Sequence, residues 1–211
     1  MLSIKSSQKQ QLPDLAVCQR ACFPTSFATK LGKPYIQKSL EWFLETEQRF
    51  LFHCEEDGKV VGYCGGFAPA FYGDGSSSGM LQHAFKQAVK GTLKNPWLIF
   101  HPELFQYYPH VFKNIRKKIF RQKNTTAATQ ITKEFDKVVG LVIIGVHPDY
   151  RGKGVFELLM DEFEKQAALL QRNEVNLSVK KENLRAINAY KKVGWKVKLE
   201  KRDGLKMHKF L

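Results

Sequence analysis

Cysteines, acidic side chains and long apolar runs are all scarce in this chain, and each scarcity removes a class of protein. The four cysteines, Cys18, Cys22, Cys54 and Cys64, include no pair at the two-residue spacing of a zinc or redox site. Cys18 and Cys22 stand one helical turn apart, which suits core neighbours better than a metal site. Free thiols in a reducing compartment and no bound metal are therefore expected. No apolar run reaches the length of a membrane span, and the start, Met1-Leu2-Ser3-Ile4-Lys5, has no apolar leader core. A cytoplasmic protein without a membrane span is the expectation. Acids number 20 against 34 Lys and Arg, a net charge of +14 that favours acidic partners. Between residues 86 and 123 nine basic residues face a single acid, Glu103, so that stretch alone carries +8.

What the chain does have is a strand, a glycine-rich basic loop and a helix in direct succession. The apolar run Val138 to Val146 reads as a strand, and His147-Pro148-Asp149-Tyr150-Arg151-Gly152-Lys153-Gly154 as the loop. From Phe156 onward, apolar residues at Leu159, Met160, Phe163, Ala167 and Leu170 keep the spacing of one helix face. A helix N-terminus leaves its first N–H groups unpaired and carries partial positive charge. Gly152 and Gly154 let the backbone come close, and Arg151 and Lys153 add full charges, so a phosphate fits there. A short strand, Val175 to Val179, follows. Then comes a helical run from Asn183 in which Leu184, Ile187 and Tyr190 share a face, stopped by Gly194. This order describes α/β layers with a ligand groove beside the strand ends.

Two motifs in this region, in order and at matching separation, carry a family resemblance. The loop Arg151-Gly152-Lys153-Gly154-Val155-Phe156 resembles the acyl-CoA pyrophosphate loop of the GNAT superfamily of N-acyltransferases. The set Asn183, Ala186, Tyr190, Gly194 and Trp195 resembles that family's late helix. Together they cover residues 138 to 200. The loop departs from the pattern at its last position, where Phe156 replaces Gly or Ala. Its backbone N–H survives, and its ring either packs into the core or crowds the cofactor.

The resemblance implies an α/β, GNAT-like fold: a central mixed twisted β-sheet flanked by helices, spanning 1–211 as one domain. The earlier local signals agree. They are a strand at Leu2–Ser6, helices at Leu12–Cys22 and Pro34–Glu45, a hairpin of Arg49–Cys54 with Lys59–Phe67, and a closing hairpin of Trp195–Leu199 with Leu205–Phe210. Between the hairpin and the central strand lies an unusually long helical insertion, about residues 70–136. It opens on Gly73-Asp74-Gly75-Ser76-Ser77-Ser78-Gly79, read as a loop, and continues with helical stretches near His83–Lys90 and Pro109–Arg121. The second of these has a basic outer face, which either is simply solvated or meets an anionic substrate or the 3′-phosphate end of CoA. The aromatics Trp97, Phe100, Phe105, Tyr107 and Tyr108 read as interior, which leaves membrane-surface or nucleic-acid binding a minor reading.

The resemblance also implies a chemistry. Acetyl-CoA is the co-substrate, and its pantetheine arm lies along the strand edge at Ile144 and Val146. The loop from Arg151 through Gly152, Lys153, Gly154, Val155 and Phe156 holds the pyrophosphate. Asn183 hydrogen-bonds the arm or caps its own helix, and Tyr190 donates a proton to the leaving thiolate. Gly145 is the position expected to bulge and splay the strand. With no cysteine in the loop or the late helix, a small-molecule amine attacks directly rather than through an acyl-enzyme. An amino sugar, nucleotide-linked or not, suits the positive insertion; protein amines and a hydroxyl acceptor stay open. No general base is assigned: His101, Glu103 and His110 are the candidates, beside a water chain, while His147 next to Pro148 reads as structural. The acyl length stays open, as does a monomer or homodimer. The opposed reading is a catalytically silent binding module with Phe156 closing the site.

Overall fold

The structure, a computed structural model, describes residues 1–69, 76–105 and 138–211 of the chain. In order the elements are β1 (Ser3–Ser6), α1 (Leu12–Cys22), α2 (Phe27–Leu31), α3 (Lys33–Glu41), β2 (Arg49–Glu56) and β3 (Lys59–Phe67). Then follow α4 (Ser76–His83), α5 (Phe85–Lys94), α6 (Pro102–Phe105), β4 (Val138–Val146) and α7 (Val155–Leu169). The chain closes with β5 (Glu174–Val179), α8 (Leu184–Lys192), β6 (Lys196–Lys201) and β7 (Gly204–Phe210). The strands form one seven-stranded mixed sheet in the order β1-β2-β3-β4-β5-β7-β6. Among the described strands only β4 and β5 run parallel; every other pair is antiparallel.

Each face of the sheet carries its own core. On one, α7 lays Leu159, Met160 and Phe163 onto Val61, Cys64, Val139 and Val175. On the other, α1 and α3 set Leu15, Ile36 and Leu40 against Leu51, Tyr63 and Phe67. Burying apolar side chains on both faces is what makes β3 and β4 read as unbroken apolar runs rather than alternating ones. The β2–β3 hairpin turns at Asp57 and Gly58, both with positive φ, the conformation a two-residue turn of this kind requires.

The boundaries of α1, β3 and β4 fall where the sequence places them. Four expectations change. Ser76 to Gly79 belong to α4 rather than to a loop, and Gly79 there leaves room for Trp42, whose Nε1 lies 2.9 Å from where a Cβ would sit. Leu184 is exposed in the first turn of α8, so Ile187 and Tyr190 alone bury that face. Trp97 and Phe100 are displayed, 82% and 65% exposed, not interior. The bulge of β4 falls at Val142 and not at Gly145. The β3–β4 register passes from Gly66 opposite Leu141 to Gly65 opposite Ile143, leaving Val142 as the extra residue. Gly145 serves a different need, since a Cβ there would come within 2.6 Å of the Tyr63 ring. The expected helix at Pro109–Arg121, with Tyr107, Tyr108 and His110, lies outside the described residues.

Candidate functional site

β4 and β5 pair through Val138, Val139 and Gly140 and then part. An extra residue in one strand bends it and sharpens its twist, and the bulge at Val142 comes two residues after the last paired residue, Gly140. Beyond it, the β5-facing backbone groups of β4 have no strand partner among the described residues. Two adjoining cavities, of about 270 and about 330 Å³, occupy the opening. They share Phe23, Ile144, Asn183, Ala186 and Tyr190, so they form one groove. An open parallel strand edge with a groove along it can receive an extended, amide-bearing chain as if it were a further strand.

One end of the groove meets the glycine loop. Gly152 and Gly154 have φ of +77° and +81°, and nothing lies within 4 Å of a Cβ built on either. The loop is therefore a cradle whose open space side chains would fill. Gly154 is the N-cap of α7, and no side chain caps that end. The first N–H groups of α7 remain for a ligand or for the Glu157 carboxylate. The Glu157 backbone N–H, with Lys192 at 3.2 Å, holds that carboxyl below its usual range.

The expected site residues come together unevenly. Ile144, Val146, Arg151, Gly152, Phe156, Asn183 and Tyr190 all line the second cavity. Arg151 also braces the site: its guanidinium donates to the Val146 carbonyl and to the Cys22 carbonyl, both at 3.3 Å. Lys153 turns away, its ammonium 5.0 Å from the centre of the Tyr150 ring. The Val155 side chain is wholly buried against Gly62, so that residue can offer the groove its backbone alone. Asn183 caps α8 by accepting from the Ala186 N–H at 3.2 Å while still facing the groove.

Tyr190 sits at the junction of the two cavities. Burial pushes its phenol well up, with a smaller push from Cys64, so it stays protonated at neutral pH. Its hydroxyl has no hydrogen-bond partner among the described residues. The ring is held by neighbours: Phe156 edge-on at 5.6 Å and Trp195 tilted at 5.8 Å. Phe156 thus packs against the core and forms one wall of the groove, and the cavity beside it stays open. A buried, protonated phenol facing a groove can donate a proton to a leaving group.

Several lining residues lie too far away in sequence for any local pattern to reveal. Cys22 and Phe23, at the C-terminal end of α1, face β4 across the groove, and Arg185 adds charge from α8. Cys18 and Cys22 are reduced, with their sulfurs 3.9 Å apart. The Cys18 thiol, helped by Arg151 and Arg185, holds Cys22 below its ordinary range, while Cys18 is pushed up. Two of the base candidates, His101 and Glu103, serve elsewhere, and His110 lies outside the described residues. Glu103 accepts from the Phe27 N–H at 3.2 Å, and the His101 ring lies 5.5 Å from that of Phe27, so both pin the insertion to α2. His147 caps the turn that follows β4, and Nδ1 accepts from the Asp149 N–H at 3.4 Å. Among the described residues no group of His, Cys, Asp or Glu is arranged to hold a metal. No helix there is long and apolar enough to cross a membrane.

Comparison with known proteins gives the same picture. An acetyltransferase of Sodalis glossinidius is 35% identical over 54 residues, spanning 26% of this chain and 38% of that protein. The yncA protein of Salmonella typhimurium, solved with its cofactor acetyl-CoA, superposes with a TM-score of 0.58 at 13% identity, covering all of this chain and 94% of its own. The PaiA N-acetyltransferase of Thermoplasma acidophilum, solved with coenzyme A, gives 0.55 at 13% identity over all of this chain and 99% of its own. At such identities the structures speak for the fold. The model of the acetyltransferase (GNAT) family matches residues 13–195, most of the chain. With the open β4 edge, the glycine cradle and the late helix in their places, the chain belongs to the GNAT family of acetyltransferases, whose co-substrate is acetyl-CoA.

Proposed function

We propose that the protein is an N-acetyltransferase that transfers the acetyl group of acetyl-CoA to an amine by direct attack. The observation that carries the reading is the single groove running from the Gly152–Gly154 cradle, along the unpaired edge of β4, to the Tyr190 hydroxyl. When bound, acetyl-CoA supplies an activated thioester. The residues of the chain bind and orient it. The Gly154–Phe156 backbone and Arg151 take the pyrophosphate, the β4 edge at Ile144 and Val146 takes the pantetheine amides, and Asn183 holds the arm. A strand N–H polarises the thioester carbonyl. Tyr190, kept protonated by burial, gives its proton to the departing thiolate. With His101 and Glu103 committed to the insertion, the amine loses its proton to water before it attacks. The acceptor is an amine bearing negative charge, an amino sugar, nucleotide-linked or not, being the class that suits Arg185 at the groove.

Calorimetric titration of acetyl-CoA tests the binding half of this reading, with micromolar affinity expected. Tyr190→Phe tests the chemical half. Its turnover should fall by about 10²-fold, the scale of a lost general acid, with acetyl-CoA affinity kept. Unchanged turnover would remove Tyr190 from that role, and absent binding would favour a silent binding module.

A further inference from the structure

Helix α5 buries its small residues and displays its large ones. Ala84, just before it, and Gly91 face inward, where a Cβ on Gly91 would lie 2.6 Å from the Leu31 carbonyl oxygen. On the opposite side Phe85, Val89 and Leu93 stand out, 60%, 42% and 75% exposed. Leu81 precedes them by one turn, and Trp97 and Phe100 follow in the 3-10 turn Pro96–Phe100. A helix that serves its own core turns its large apolar residues inward. The apolar face of α5 points away from the other described elements, so none of them is its partner.

The charges beside this stripe say what that partner is. Lys86, Lys90 and Lys94 are exposed and follow Phe85, Val89 and Leu93 by one residue each, a basic row parallel to the apolar one. No Asp or Glu occurs between Asp74 and Glu103. A second copy would set lysine row against lysine row, on a chain already at +14. Nucleic acid would satisfy the lysines but give Leu81, Val89 and Leu93 nothing to bury against. An anionic bilayer surface satisfies both rows: apolar side chains enter the acyl boundary while lysine stems carry their ammonium groups to the phosphates. We propose that α5 and the turn after it dock on an anionic phospholipid surface.

The test is co-sedimentation of the full chain with phosphatidylserine/phosphatidylcholine vesicles and with pure phosphatidylcholine vesicles. Trp97 gives a second readout, because Trp42 and Trp195 are buried and their emission should not respond. Binding to the serine-containing vesicles is expected, with a blue shift and steep loss in salt. Each of Lys86→Gln, Lys90→Gln and Lys94→Gln should weaken partitioning by about 5-fold. Leu93→Ser with Phe85→Ser should weaken it by more than about 10-fold. All five positions are at the surface and outside the groove, so circular dichroism and acetyl-CoA binding should match the parent. The proposal would be overturned by no vesicle binding; by binding that ignores Leu93→Ser and Phe85→Ser, as adhesion through net charge alone would; or by a dimer in solution that those substitutions dissociate. RNA binding through the lysine row by a protein indifferent to vesicles would overturn it too.

Discussion

Cys22 looks unremarkable in the sequence, four residues after another cysteine, yet in the fold it lines the groove opposite β4. Its thiol is held below its ordinary range chiefly by Cys18, so it should react with iodoacetamide faster than the fully buried Cys54 and Cys64. Acetyl-CoA in the groove should slow that reaction, as peptide mapping would read. Should acetyl-CoA alone instead leave an acetyl group on Cys22, the direct-attack route would fail. Phe156 is the other residue whose role the motif could not reveal. Its ring steadies Tyr190 from the side, so Phe156→Ala should cost about 1–2 kcal/mol in denaturant unfolding. The same change should lower kcat more than acetyl-CoA affinity. A large gain in affinity would mean that the ring had been obstructing the site. The loop glycines and Asn183 were legible because backbone conformation and capping are local demands; Cys22 and Phe23 were not, because only the fold brings them to β4.

At the level of elements, the strand pairings carry a pH dependence. His53 on β2 is buried, with Nδ1 2.8 Å from the Ser7 hydroxyl after β1 and Nε2 3.6 Å from Glu55. Burial, opposed by Glu55, keeps its imidazole below the ordinary value. The unfolded chain takes up this proton below about pH 6.5 while the folded chain resists it. This contribution to stability is therefore whole above that pH and is lost as the pH falls toward the lower, folded value. The urea midpoint should drop on acidification from about pH 7 to about pH 5, and less steeply in His53→Gln. Element types were readable almost throughout, since α7 repeats one helical period and β4 is a short apolar run bounded by turn residues. The bulge was misplaced for a physical reason. A glycine within a strand signals close approach but not its cause, and at Gly145 the cause is the Tyr63 ring. The outward stripe of α5 escaped notice because periodicity reports that a helix has an apolar face, not which way that face turns.

For the molecule as a whole, a mixed sheet with two hairpins could be anticipated from the succession of elements, whereas its strand order and the surroundings of the groove depend on contacts such as α1 meeting β4 across more than a hundred residues of chain. The parting of β4 from β5 has a thermodynamic consequence. Among the described residues, three pairs, Val138 to Gly140 against Glu174 to Asn176, make up the seam between the four strands on one side and the three on the other. The two halves are thus weakly stitched, and α7, which packs on both, is the main clamp. A ligand lying along the gap would act as a rung ladder between them and turn two loosely coupled foldons into one. Acetyl-CoA at a hundredfold excess over its Kd should add about 2.7 kcal/mol of stability. Melting should then rise by several degrees, at about 2–4 °C per kcal/mol for a chain of this size. Amide exchange should slow most at Ile144 and Val146, and an even slowing across all seven strands would mean that the halves were already one unit.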